Sequence, residues 1–308
     1  MNSIDFSILI VTFNRIEKLR KTLKEVVLQL EALKSLQGEI IVVDDGSTDG
    51  TVENLLKEFS CINFLSLPHN GAAPCRWIGI KEAKGELIIF LDDDTLPQKG
   101  WLENLLFAYQ THKTIIMGRV IHPSNIWGKL TALLEFPQFS GCKLRYLNNF
   151  AYCNLLIPRK FIRKELLYPF TVEGLDISDR VCSWRLYKEG VEILFNPSSC
   201  VMHNIDCSLI NLKNREKTYG AKFIIARKVE PTLPYGRFIK LGKPSILWIA
   251  KILKGIQNLC ILNKELKVNK GELPLIVYYI IYLSFSFIRG CKEALKTAYG
   301  KDFITTRD

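Results

Sequence analysis

The sequence predicts an α/β fold built on a mostly parallel sheet. Three short, largely apolar runs carry the prediction: Phe6–Val11, Glu39–Val43 and Leu87–Leu91. Stretches with apolar residues at helical spacing separate them, and each run passes straight into a polar turn. Runs this short and unbroken suit strands covered on both faces. Their alternation with helices argues βαβ units.

Phe6–Val11 is the first strand, with Thr12, Phe13, Asn14 and Arg15 as its turn. From Ile16 to about Leu36 the residues Leu19, Leu23, Val26, Val27, Leu30 and Leu33 recur at helical spacing, and Gly38 ends that helix. Glu39–Val43 runs into Asp44, Asp45, Gly46, Ser47, Thr48, Asp49 and Gly50, then a helix to about Phe59. Residues 61–67 read as a short third strand, and Gly71–Lys84 as a helix with Pro74 in its first turn. After the Leu87 strand, Gly100–Gln110 reads as a helix and Thr114–Ile121 as a strand. Residues 122–148 mix aromatic and glycine residues and are a loop, or a flap with a helix around Leu130–Phe136. Ala151–Pro158 is strand-like and Asp179–Glu189 is a helix. Val191–Phe195 is a short strand, after which Asn196 and Pro197 turn the chain toward Cys200–His203.

With 308 residues, 48% of them hydrophobic, the chain can bury a substantial core. Its formal net charge of +11 favours acidic partners such as nucleic acid, anionic lipid or phosphorylated substrates. The nine cysteines form no CxxC pair and no zinc-like spacing, which suits reduced thiols in a cytosolic compartment. The N-terminus lacks a basic leader region, and Asp5 and Ser7 interrupt its apolar run, so it does not read as a signal peptide.

Composition changes after about Ile205. Between Arg237 and Lys270 eight Lys or Arg residues face a single acid, Glu265, among large apolar residues. Such a stretch is either an interfacial basic amphipathic helix or a helix packed on the preceding domain. Leu273–Ile288 follows, sixteen residues without a charge. That is short of the roughly 20 residues that span a bilayer. Residues 206–308 are therefore read as a basic, apolar, helical membrane-associating extension of a domain at 1–205.

Several acid-rich turns could carry chemistry. Asp92 and Asp94 sit two apart at a strand end, where open α/β sheets place ligands, and can converge on one side. Two carboxylates make a hard-oxygen site for Mg²⁺ or Mn²⁺, or simply an acidic turn. Val42–Gly50 puts acids and a hydroxyl where a strand becomes a helix. There they can receive a base edge or a ribose, or Ser47 or Asp49 can cap the helix. Asp176 and Asp179, three apart at a helix start, offer a general base or a cap. His203 is a third metal ligand or a structural histidine. No GxGxxG loop and no GxxxxGK[ST] motif occurs, which argues against a dehydrogenase and a P-loop ATPase.

Taken in order, IVTFNR at Ile10–Arg15, VVDDGSTDG at Val42–Gly50, NGAAPCRWIGIKEAKGELIIFLDDD at Asn70–Asp94 and SDRVCSWRLYKEGVEILFNPSSCVMH at Ser178–His203 resemble a family 2 glycosyltransferase of GT-A fold. The resemblance covers about Phe6 to His203. It implies a Rossmann-like central sheet flanked by helices at 1–205, binding a nucleotide sugar and performing an inverting transfer. It implies that Thr12, Asn14, Arg15, Asp44, Asp45, Arg76, Asp92 and Asp93 line the donor site. It implies a Mn²⁺ or Mg²⁺ ion held by Asp94, Asp92 and His203, and Asp179 as catalytic base with Asp176 in reserve. Two positions depart from the family pattern. Serine at 178 replaces the first acid of the usual pair, and Trp77 follows Arg76 where asparagine is usual.

The expected substrates are a UDP- or dTDP-linked donor and a hydroxyl of a glycan or lipid-linked acceptor in polysaccharide or cell-envelope synthesis. The expected location is the cytoplasmic face of a membrane, peripheral or shallowly inserted, with an anionic lipid surface as partner. Nucleic acid is not expected, because the basic stretch adjoins a long uncharged apolar run rather than a recognition element. The alternatives are a nucleotidyltransferase acting on sugar phosphates and a non-catalytic nucleotide- or nucleic-acid-binding protein.

Overall fold

The computed structural model describes residues 4–33, 35–168, 170–172, 174–234 and 244–297. The basic residues Arg237, Lys240 and Lys243 of the expected amphipathic stretch lie outside the described residues. The chain divides into two compact units, Met1–Pro123 with Phe136–Ile205, and Ser124–Glu135 with Asp206–Asp308. The first unit is thus not the continuous stretch 1–205, since residues 124–135 leave it.

The first unit begins with the parallel strands β1 (Phe6–Thr12), β2 (Gly38–Asp44), β3 (Ile62–Ser66) and β4 (Leu87–Asp92). Helices α1 (Ile16–Ala32), α2 (Thr51–Glu58) and α3 (Ala72–Glu82) connect them. Then come β5 (Thr95–Pro97), α4 (Trp101–His112) and β6 (Ile115–Ile121). After α5 (Ile126–Leu134) the chain adds β7 (Arg145–Leu147), β8 (Asn154–Pro158), α6 (Lys164–Leu167), the hairpin β9 (Thr171–Val172) and β10 (Leu175–Asp176), α7 (Ser178–Lys188) and β11 (Ile193–His203). The nine-stranded sheet runs β3-β2-β1-β4-β8-β6-β11-β5, with β7 also paired to β11. It is mixed: β8 is antiparallel to both β4 and β6, while β6 and β11 are parallel. The unbroken apolar runs have the expected cause, since Ile8, Ile10, Ile41, Val43, Ile89 and Phe90 are all buried in one core.

The chain does not turn away at Asn196–Pro197. β11 continues to His203 across a register shift between Asn196 and Cys200 against β6. Proline is tolerated in a strand at such a bulge. Side-chain hydrogen bonds tie the bulge to β6, β8 and α4. Asn154 Nδ2 donates to Ser199 O (3.1 Å) and Arg119 O (3.0 Å), Ser199 Oγ to Trp101 O (2.9 Å), and Asn196 Nδ2 to Asn104 O (3.0 Å). A Cβ at Gly118 would meet the Asn154 side chain at 2.2 Å, so the glycine gives this amide its room.

The second unit packs α5 against α8 (Leu209–Val229), α9 (Pro244–Leu262) and α10 (Leu273–Thr297). Its core joins Leu130, Leu133 and Leu134 to Leu212, Leu259, Ile276, Ile280 and Leu283. This explains why residues 122–148 are hard to read locally, because the apolar face of α5 is matched by helices far along the chain. α8 and α10 touch backbone to backbone: a Cβ at Gly220 would meet Phe287 O at 1.9 Å, and one at Gly290 would meet Lys217 O at 1.8 Å. The carbonyls ending α5 are taken by α9, with Asn258 Nδ2 on Leu133 O (2.9 Å) and Lys251 Nζ on Leu134 O (3.2 Å).

Candidate active site

The site forms where β1, β2 and β4 end side by side, at the carboxyl edge of the sheet. β4 delivers Asp92 at its last position, and Asp93 and Asp94 make the turn into β5. β5 pairs antiparallel with the end of β11, setting His203 opposite Thr95. Asn204 N–H then donates to Asp94 O (2.7 Å), and His203 Nε2 lies 3.1 Å from Asp94 Oδ1 and 3.9 Å from Asp92 Oδ2. The donor atoms of Asp92, Asp94 and His203 all fall within 4.8 Å of one another.

The three consecutive acids face different surroundings. The Asp92 side chain is 40% exposed, whereas that of Asp94 is 4% exposed. Asp94 Oδ2 receives Arg15 Nη1 (3.2 Å) and Lys18 Nζ (3.5 Å). Burial works to raise the Asp94 pKa, but His203, Arg15 and Lys18 outweigh it and bring it down to about 2. Asp93 turns inward, accepting from Thr12 Oγ1 (2.8 Å) and Arg15 Nη1 (2.9 Å). Burial dominates there and pushes its pKa up to about 6. Lys18 was not singled out from the sequence; it lies in the first turn of α1, three residues after Arg15, which precedes the helix.

The loops after β1 and β2 are tied together. Asn14, at φ +51°, accepts Thr48 N–H on Oδ1 (2.8 Å), and its own N–H donates to Ser47 Oγ (2.7 Å). Asp49 accepts Ile16 N–H (3.2 Å) and Thr51 N–H (3.1 Å), so it serves the starts of both α1 and α2. Asp45 is occupied by Asn70 N–H (2.7 Å), Gly71 N–H (3.0 Å) and His69 Nδ1 (2.9 Å), which hold the entry to α3. Asp44 is different. Its Oδ2 accepts Ser47 N–H (3.0 Å), but its buried Oδ1 has no partner. A buried acceptor left open is costly unless a ligand supplies the donor.

On the other side of the cleft, Arg76 of α3 lies over the Tyr152 ring at 4.1 Å and donates to Asp176 Oδ2 at 3.3 Å. Asp176 Oδ1 accepts Ser178 N–H (2.9 Å) at the start of α7. Asp179 lies in the first turn of α7, half-buried, accepting Arg180 N–H (2.7 Å). Burial pushes the Cys153 thiol pKa well up, and the charges of Asp92, Asp94 and Asp179 raise it further. Two carboxylates and an imidazole are a fitting donor set for a divalent cation of the Mg²⁺ or Mn²⁺ kind.

Residues 7–167, just over half the chain, match the family model described as Glycosyl transferase family 2. The poly-β-1,6-N-acetyl-D-glucosamine synthase of Staphylococcus aureus (strain COL) is 28% identical over 264 residues, which is 80% of this chain and 62% of that protein. The poly(ribitol-phosphate) β-N-acetylglucosaminyltransferase TarP of Staphylococcus aureus (strain N315) is 34% identical over 118 residues, 37% of this chain and 36% of that protein. The chain spans less than two thirds of the length of the curated relatives it matches first. Among solved structures, the mannosyltransferase PcManGT from Pyrobaculum calidifontis, in complex with GDP-Man and Mn²⁺, superposes with a TM-score of 0.60 at 13% identity, covering 96% of this chain and 88% of that one. The mixed sheet and its acidic carboxyl edge are those of a GT-A fold, and this chain belongs to glycosyl transferase family 2.

Proposed function

We propose that the chain is a metal-dependent inverting glycosyltransferase. It moves a sugar from a UDP- or dTDP-linked donor to a hydroxyl of a glycan or lipid-linked acceptor in polysaccharide or cell-envelope synthesis. The cluster of Asp92, Asp94 and His203 at the end of β4 carries this reading. Those three residues would hold a Mn²⁺ or Mg²⁺ ion, which when bound supplies positive charge against the donor diphosphate and its leaving group. Asp94 is suited to direct ligation because its carboxylate keeps its charge. The open Oδ1 of Asp44 accepts a hydrogen bond from the donor's base or ribose. Asn14 shapes that end of the pocket, while Thr12 and Arg15 keep Asp93 inward and so aim its two neighbours. Asp45 serves the same pocket by fixing the turn at Asn70 and Gly71.

Asp179 takes the proton from the acceptor hydroxyl as that oxygen attacks the anomeric carbon. The bond to the nucleoside diphosphate breaks in the same displacement, so the configuration inverts. Asp176, held by Arg76 and by Ser178 N–H, stays in reserve and anchors the start of α7. The helical unit faces an anionic membrane at its cytoplasmic side, an assignment supported by the net charge of +11 and by the apolar α10.

A panel of nucleotide sugars with Mn²⁺ or Mg²⁺ and membrane-extracted acceptors tests the proposal. The two named relatives both concern N-acetylglucosamine, so an N-acetylglucosamine donor belongs in the panel. Release of nucleoside diphosphate that needs the cation is expected. Release of pyrophosphate instead would make the chain a nucleotidyltransferase, and binding without any turnover would make it a non-catalytic binder.

A further inference from the structure

Helices α9 and α10 run antiparallel, since Gly255 faces Ile280 and Trp248 meets Phe285 at a ring distance of 4.8 Å. Each leaves one apolar stripe uncovered. On α9 the stripe is Ile249 and Leu253, 53% and 61% exposed. On α10 it is Leu275, Tyr278, Ile281 and Phe285, and the same face continues into exposed Arg289 and Lys292. Half-buried Trp248, next to Ile249 in sequence, touches Phe285 of the α10 stripe. The turn between the helices carries exposed Lys264, Lys267 and Lys270. Of the neighbouring acids, Glu272 pairs with Lys129 at 2.7 Å, Glu293 pairs with Lys217 at 2.8 Å and with Arg289 at 3.1 Å, and Glu265 lies half-buried in the turn. Among the described residues the result is an apolar centre with more cations than acids at its two ends, which suits an anionic surface better than a second copy of the same face.

Among the described residues, α10 is the one helix long and apolar enough to cross a membrane, at mean hydropathy 1.5 over Leu273–Lys296. Its other face is committed. Ile276, Ile280, Leu283 and Phe287 are buried, and the backbone of Gly290 sits on Lys217 O of α8. The exposed apolar stripe from Leu275 to Phe285 is about 15 Å long at 1.5 Å per residue, half the roughly 30 Å hydrocarbon core. We propose that the outer faces of α9 and α10 dock in the plane of an anionic bilayer, with the apolar stripes among the acyl chains and the flanking cations at the headgroups, and that α10 does not span it. This deepens the membrane-facing reading above and names the surface that makes it.

The test is flotation of the full chain with vesicles of phosphatidylcholine alone or of phosphatidylcholine with phosphatidylglycerol. Binding is expected to favour the anionic vesicles. Leu253→Glu with Phe285→Glu, both at exposed positions, is expected to abolish flotation. Lys264→Glu with Lys292→Glu should weaken it at least about thirtyfold, from the loss of headgroup attraction by two cations. Membranes from expressing cells should release the protein on a carbonate wash. Release of nucleoside diphosphate in detergent should be unchanged in both double variants, and Asp179→Asn should float like the parent, so failure of docking and failure of the transferase reading are told apart. Equal binding of both vesicle types, flotation untouched by either double variant, retention after carbonate, or a dimer dispersed by Phe285→Glu without any flotation would each overturn the proposal.

Discussion

Both units bury carboxylates, and they treat them in opposite ways. In the helical unit each buried acid has its own cation: Glu135 with Arg215 at 3.0 Å, Glu216 with Lys251 at 3.0 Å. At the sheet edge three consecutive acids share one guanidinium, one ammonium and one imidazole, and a buried oxygen of Asp44 is left open. The first arrangement gives each of these carboxylates a cation of its own, although Glu216 Oε2 faces its ammonium without a hydrogen bond. The second is short of positive charge and of hydrogen-bond donors, which is what a site for a cation and a nucleotide requires. The location of unmet demand, rather than the number of acids, separates the candidate site from the scaffold.

The largest effect should come from Asp179→Asn. Removing a general base is expected to lower turnover by about a thousandfold, while calorimetry shows donor binding within several-fold of the parent. Asp94→Ala should next abolish the cation-dependent part of donor binding in the same titration. In the helical unit, Lys251→Met strands Glu216 and should cost about 3–5 kcal/mol in denaturant unfolding. The double change Glu216→Leu with Lys251→Met should recover most of that, because the pair is closed on itself. The smallest effect is on pH dependence, and it has opposite signs at Glu135 and at Asp94. Burial raises the Glu135 pKa to about 7, so the unfolded chain gives up that proton first and stability falls as pH rises from about 4.5 to 7. Asp94, held at about 2, contributes stability that is present above about 4 and is lost as pH falls toward 2. Melting curves across pH should lose the first slope in Glu135→Gln and the second in Asp94→Asn, with chelator present.

Much of this was legible in the sequence for physical reasons. Strands β1, β2 and β4 are buried on both faces, so their apolar runs are unbroken, and α1 shows its core face at regular spacing. The segment 122–148 was not legible, because α5 is organised by Leu212, Leu259 and Ile276 from elsewhere in the chain. β5 has only three residues, too few for any pattern, and the proline in β11 mimics a stop. At the site, the spacing of Asp92 and Asp94 and the presence of His203 could be read, but not their convergence. Nor could the sequence separate acids that face outward from those that face in. Asp45 and Asp93 read like Asp44 and Asp94, and only the fold shows their oxygens occupied by His69, Asn70, Gly71, Thr12 and Arg15.

The short ladder between β5 and the end of β11 sets a condition on biosynthesis. His203 meets Asp94 across 109 residues, and that ladder sets the two side by side. A nascent chain that has emerged only as far as Asp94 has two of the three donors and none of the edge that aligns them. On the proposed reading, ion capture therefore waits for β11, and by linkage a captured ion would tighten that last strand of the sheet.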